Sequence, residues 1–238
     1  MNVYEVNDIA KLLDGNPYVG RGIVVGKSED GKSAVAAYFI MGRSENSRNR
    51  VFVENGEELI IHPFDPSKVK DPSLIIYSPI RKLGDKLIVT NGNQTDTIYN
   101  FLAIDKTMVQ ALETRGFEPD APNFTPRISA VLDFTKGYKY EMSILKSADE
   151  KGSACSRFFF SYPALDGVGH FIHTYVTDGD PIPTFVGEPE RVKIPSDIDE
   201  FTASIWNNLN ENNKISLYVR YINLEDMSIT NRLINKNS

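Results

Sequence analysis

Thr90-Asn91-Gly92-Asn93-Gln94-Thr95-Asp96-Thr97-Ile98 stands between a strand-like run and a helix-like one. Upstream, Leu74-Ile75-Ile76-Tyr77-Ser78-Pro79-Ile80-Arg81-Lys82-Leu83 and Lys86-Leu87-Ile88-Val89 flank Gly84-Asp85, the pattern of a hairpin. Downstream, Ile98, Leu102, Ile104, Met108 and Leu112 recur at roughly helical spacing. They predict a helix from about Thr95 to Thr114, with Gly116 able to end it. A glycine among amides and hydroxyls, where a strand empties into a helix, presents free backbone N–H groups and the positive helix end. Such a turn suits an anion or a polar ring. It also fits an ordinary capped connection.

Asn7 and Asp8 can cap a short helix over residues 7 to 14, ended by Gly15. Strands are predicted at Val19–Val25, Ser33–Met41, Val51–Val53 and Leu59–Ile61, then through the hairpin. Further strands are predicted at Arg127–Phe134, Lys139–Leu145, Arg157–Tyr162, Gly169–Val176 and Ile215–Ile222. Asp197–Leu209 reads as a second helix, with Ile198, Phe201, Ile205 and Leu209 on one stripe. Many antiparallel-looking strands with helical segments between them imply an α+β chain. Two mostly antiparallel sheets packed face to face, with helices outside, would make a four-layer αββα sandwich. A plain sandwich with side helices fits the same pattern. No repeat or composition break divides the chain, so residues 1–238 read as a single domain with an N-terminal helical extension over 1–17.

Composition narrows the function. Hydrophobic residues make up 41% and charged residues 24%, as in a soluble globular protein. No apolar run approaches the roughly 20 residues that cross a bilayer, and no basic start or apolar core marks a signal peptide. A membrane partner is therefore not expected. The one cysteine, Cys155, excludes an internal disulfide and a cysteine-rich metal site, and cytoplasm is the simplest location. A net charge of −6 argues against nucleic acid as the main partner, so an anionic substrate would need local arginines.

Three polar clusters interrupt the apolar strands. Gly42-Arg43-Ser44-Glu45-Asn46-Ser47-Arg48-Asn49-Arg50 carries three arginines interleaved with neutral hydrogen-bonding groups. Planar guanidinium forks suit phosphate oxygens or an oxyanion, although a solvated loop has the same composition. Phe117-Glu118-Pro119-Asp120-Ala121-Pro122-Asn123-Phe124-Thr125-Pro126-Arg127-Ile128 holds three prolines, which stiffen a loop carrying Glu118 and Arg127. Tyr77 is expected mid-strand, either a core aromatic or a proton donor. The histidines His62, His170 and His173 form no metal motif, and no nucleophile elbow or phosphate loop is present. Cys155 beside Arg157 lacks a partnered base and reads as an incidental thiol.

Taken in order, these segments resemble the archaeal-type IMP cyclohydrolases. The matching pieces are Tyr18-Val19-Gly20-Arg21, Val24-Val25-Gly26, Ala37-Tyr38, Arg43-Ser44 and Asn49-Arg50. Tyr77 with Ile80-Arg81 and Gly84-Asp85, then Thr90-Asn91-Gly92 and Thr95-Asp96-Thr97-Ile98, follow. Glu118, Thr125-Pro126-Arg127-Ile128 and, more loosely, Thr174-Tyr175 complete the set. The resemblance implies an N-terminal-nucleophile-hydrolase-like fold without the nucleophile. It implies closure of the purine ring, from the formamido-imidazole-carboxamide ribotide (FAICAR) to IMP and water, the last step of de novo purine biosynthesis. This chain differs in its N-terminal extension, a longer arginine loop (Glu45 to Arg48) and an extra residue between Glu118 and Thr125.

The roles implied are these. Arg50 would take the charge developing on the formyl oxygen. Tyr77, its pKa lowered by a nearby arginine, would shuttle a proton. Glu118 would orient or deprotonate the carboxamide. Tyr18, Arg21, Arg43, Ser44, Asn49, Asn91, Gly92, Thr95, Asp96 and Arg127 would hold base, ribose and phosphate. No metal or organic cofactor is required, because the substrate contains its own electrophile and leaving group. The expected partner is a purine ribonucleotide, and exposed strands leave room for a homo-oligomer. Two alternatives stand beside this reading: an amidohydrolase with a true N-terminal nucleophile, and a nucleotide-binding protein of the same fold without turnover.

Overall fold

The computed structural model describes residue 2 and residues 4–68 and 77–237. Leu74, Ile75 and Ile76 of the expected hairpin lie outside the described residues. The order is α1 (Ile9–Leu13), β1 (Arg21–Lys27), β2 (Ser33–Met41), α2 (Glu45–Arg48), β3 (Val51–Asn55), β4 (Glu58–His62), β5 (Ile80–Leu83) and β6 (Lys86–Thr90). There follow α3 (Gln94–Leu102), α4 (Met108–Glu113), β7 (Arg127–Asp133), β8 (Lys139–Ser147), β9 (Cys155–Pro163) and β10 (Val168–His173). The chain ends with β11 (Glu190–Lys193), α5 (Ile198–Trp206), β12 (Lys214–Asn223) and β13 (Ile229–Asn235).

Two sheets form, a six-stranded one in the order β11-β10-β1-β2-β12-β13 and a seven-stranded one in the order β3-β4-β5-β6-β7-β8-β9. Side chains on β2 show why they stack. Ala34, Ala36, Tyr38 and Ile40 join the core between the sheets with Leu59, Val89, Ala130 and Met142. The alternate residues Val35, Ala37, Phe39 and Met41 face outward under Ile9, Leu13, Phe201 and Ile205 of α1 and α5. Both faces of the strand are buried, so its sequence reads as a continuous apolar run. On the other sheet, Ile88, Val131 and Leu145 pack under Ile98, Met108 and Leu112 of α3 and α4. These contacts give the expected helix–sheet–sheet–helix order.

The expected helix over Thr95–Thr114 is two helices. Asp105 takes φ +59°, the N–H of Lys106 donates to the Phe101 carbonyl, and Thr107 opens α4. Thr107 and Gln110 form a reciprocal capping box there, a start signal within the apolar period. At the N-terminus Asp8 caps α1, whereas Asn7 bridges to Val192 of β11. The strands β11 and β13, the short α2 and a 3-10 turn over Pro66–Lys68 complete the described set. Among the described residues no helix is long and apolar enough to cross a membrane.

Candidate active site

One end of the sandwich collects the polar clusters. Arg21 opens β1, Arg127 opens β7, and Asn91-Gly92 follows β6. Because neighbouring strands run antiparallel, starts and ends alternate along a sheet and meet at the same rim. Arg21, Tyr77, Asn91, Gly92, Glu118 and Arg127 line one cleft there. The guanidinium of Arg21 donates to Glu118 Oε1 at 3.2 Å, joining residues 97 positions apart. Arg21 lies deep enough that its Nε is buried without a hydrogen-bond partner, and the same holds for Arg50 Nε.

The Asn-Gly turn is a scaffold as well as a wall. Asn91 Nδ2 donates to the Pro126 carbonyl at 2.8 Å, and Asn91 Oδ1 accepts from the Ile128 N–H at 2.9 Å. Gln94 donates to Asn91 Oδ1 at 2.9 Å and accepts from Arg127 at 2.8 Å. Gln94 thereby fixes the Arg127 fork toward the cleft. The sequence reading omitted Gln94, although it lies inside the quoted turn. A methyl group on Gly92 would stand 2.6 Å from Arg127 Nη1 and 2.7 Å from Gln94 Oε1. Gly92→Ala is thus expected to break the Arg127–Gln94 bond and to destabilise the fold by about 1–3 kcal/mol, the worth of a hydrogen bond to a charged group. A thermal melt checks this, with far-UV circular dichroism confirming that the variant folds.

The loop carrying Glu118 is closed by side chains. Asp120 accepts from both the N–H and the hydroxyl of Thr125, while the Glu118 N–H donates to the Thr125 carbonyl at 2.9 Å. Thr125 also bonds the Tyr175 hydroxyl. Tyr175 stacks on Tyr18, with ring centroids 5.7 Å apart, and Arg43 lies over Tyr18 at 5.3 Å. Gly20 makes this wall compact: it takes φ +77°, and an added Cβ would lie 2.1 Å from Thr174 Oγ1.

Charge in the cleft is unbalanced. Burial lowers the pKa of Arg127, opposed by Glu118 and reinforced by the like charges of Arg115 and Arg21. Glu118 is thus shared between guanidinium groups, and Arg43 is paired with Asp178 instead. Tyr77 sits among these groups with its hydroxyl 3.0 Å from that of Tyr38. Burial raises the Tyr77 pKa and outweighs the lowering by Arg21 and Arg50. This reverses the expectation of a tyrosine activated by arginine, because desolvation of the phenolate exceeds the attraction. Tyr77 also precedes β5 and does not occupy the middle of a strand.

Other expected site residues are placed elsewhere. Asp96 is exposed and paired with Arg81 at 2.8 Å. Thr95 is buried and bonded to Thr90 and the Gly92 carbonyl, so it staples the turn. Ser44 caps α2 with Ser47, and Asn49 brackets the backbone of Asp65 at 2.6 and 2.8 Å. These residues shape the arginine loop and do not line the cleft. Their polar types suggested ligand contact, but local backbone groups use the same hydrogen bonds. A larger hollow lies beside α1 and α5, rimmed by Asp8, Glu29, Asp166 and Glu200 against the single cation Lys193. Its carboxylates would repel a phosphate, and it shares none of the clustered arginines.

Comparisons with known proteins bear on the family. Residues 18–227 match the family described as IMP cyclohydrolase-like protein. The IMP cyclohydrolase of Methanococcus aeolicus is 30% identical over 162 residues, 66% of this chain and 74% of that protein. That of Methanopyrus kandleri is 35% identical over 120 residues, 49% of this chain and 59% of its own length. That of Methanocaldococcus jannaschii is 33% identical over 123 residues, 51% of this chain and 59% of its own length. With a match that spans most of its length, the chain belongs to the IMP cyclohydrolase-like family.

Proposed function

We propose that this chain closes the purine six-membered ring, converting FAICAR to IMP and water, with residues 1–238 acting as one unit. The observation that carries the reading is the excess of guanidinium over carboxylate around a half-buried, protonated tyrosine. A nucleotide monophosphate supplies the missing negative charge, and the tyrosine supplies a proton.

The carboxamide nitrogen is a poor nucleophile because its lone pair is delocalised. Holding it against the formyl carbon within one molecule removes most of the entropic barrier. As the C–N bond forms, Arg50 stabilises the charge growing on the formyl oxygen, and Tyr77 gives that oxygen a proton. Glu118, held by Arg21, accepts a proton from the carboxamide nitrogen. As the hydroxyl leaves, Glu118 returns its proton to make it water, and the Tyr77 oxygen takes the hydrogen of the former formamido nitrogen. Both side chains are thus restored, and water carries, in net terms, one hydrogen from the carboxamide and one from the formamido nitrogen. Arg127 and the Asn91-Gly92 turn hold the rest of the nucleotide, with Tyr18 and Arg43 at the rim. Incubating purified protein with FAICAR and following absorbance, with mass detection of IMP, tests the reading. Net IMP formation is expected. A stable FAICAR signal with tight IMP binding would instead favour a nucleotide-binding protein.

A further inference from the structure

Tyr38 is fully buried between the sheets, its ring stacked on Phe52 with centroids 5.5 Å apart. Phenylalanine would fill that space with the same apolar contact. A phenol hydroxyl in such a core requires a hydrogen-bond partner, and the Tyr77 hydroxyl at 3.0 Å provides one. We propose that Tyr38 is a positioning residue for the ring-closing reaction: its buried hydroxyl donates to the Tyr77 oxygen and leaves the Tyr77 proton aimed at the cleft. The inference rests on the function proposed above and deepens it.

The direction of the bond follows from the surroundings. Tyr77 faces Arg21 from β1, Arg50 from the segment before β3, Glu118 from the loop after α4, and Tyr38 from β2. Tyr38 faces Tyr77, with Arg21 and Arg50 beyond it. Burial raises both phenols, and Tyr38, the deeper one, lies well above the usual value. The Tyr77 oxygen is the one hydrogen-bond partner of the Tyr38 hydroxyl among the described residues, so Tyr38 donates to it, whereas Tyr77 lines the cleft and can turn its own proton there. A donor that waits in place strengthens as Tyr77 gives up its own proton, which is preorganised stabilisation from behind the reacting group. The signal in the sequence is slight, because Ala36-Ala37-Tyr38-Phe39 reads as plain core strand.

The test compares wild type with Tyr38→Phe, using tyrosine labelled with carbon-13 at Cζ and Tyr77→Phe to assign the Tyr77 resonance. Loss of the donor is expected to move the Tyr77 titration upward by about one pH unit, a tenfold change in its ionisation constant. For FAICAR turnover, kcat is expected to fall about tenfold with KM within twofold, the effect of one lost hydrogen bond in the transition state. A folded Tyr38→Phe with an unmoved Tyr77 titration overturns the proposal. Should that variant not fold, a ring-fluorinated, more acidic tyrosine at position 38 keeps the donor. It is expected to lower the Tyr77 titration, and no shift there overturns the proposal equally. The titrations need no substrate, so a wild-type protein inert toward FAICAR would defeat the function while leaving this contact independently judged.

Discussion

Arg50→Ala is expected to lower the turnover of FAICAR by about 100-fold or more, the usual effect of deleting a donor aimed at developing charge. KM should change far less, because the interaction strengthens only as the formyl oxygen gains charge. Stability should hold or rise. Arg50 Nε is buried without a partner in the free protein, an arrangement that opposes folding by about 1–3 kcal/mol. A buried, unpartnered guanidinium nitrogen beside the half-buried Tyr77 phenol fits a site prepared for a ligand. Arg50→Lys should recover little, since an ammonium cannot present a planar fork to two acceptors. Steady-state kinetics with a thermal melt checks all three statements, and near-normal kcat in Arg50→Ala would remove the residue from the mechanism.

Tyr77→Phe is expected to reduce kcat by about 10²- to 10⁴-fold, the range for a positioned general acid. The pH dependence gives the sharper result. Burial raises the folded pKa of Tyr77 above the ordinary phenol value of 10.0, so the proton is present throughout the neutral range. An acid with a raised pKa is active below that value and is lost as pH climbs through it. The rate with saturating FAICAR should therefore be flat across neutral pH and decline on the alkaline side. A phenolate base would show the opposite slope, with the rate rising toward high pH. Tyr77→Phe should abolish the alkaline decline along with most of the rate.

Layer order was legible in the sequence because burial on both faces leaves a plain trace. Ser33–Met41 and Ile215–Ile222 are apolar at nearly every position, which matches strands covered by a second sheet on one side and helices on the other. The Gly84-Asp85 turn announced the β5–β6 hairpin for the same reason: local chemistry dictates a local connection. Three elements escaped. Glu190–Lys193 has one buried apolar residue, Ile229–Asn235 is only half buried, and α2 is set by a serine capping pair and not by an apolar stripe. The break between α3 and α4 was hidden because Ile104, though exposed, continues the apolar period across it.

The site divides along similar lines. Asn91, Gly92, Glu118, Arg21 and Arg127 could be named from residue type and position, and the fold brings them to one cleft. The pairing of Arg21 with Glu118 could not be read, because it depends on how the ends of two different sheets meet. Asp96, Thr95, Ser44 and Asn49 have the chemistry of ligand contacts but spend it on Arg81, on turns and on a helix cap. Tyr77 shows the limit most clearly. Arginines nearby were expected to lower its pKa, and only the depth of burial, a tertiary quantity, reverses the sign.

A crystal structure with IMP bound tests the location of the site most directly. The purine should lie at the rim where Arg21, Tyr77 and Glu118 meet, with its six-membered ring within hydrogen-bond distance of the Tyr77 hydroxyl and Arg127 engaging the nucleotide. IMP seated in the acidic hollow beside α1 and α5, with the arginine cleft empty, would rule out the cleft as the site.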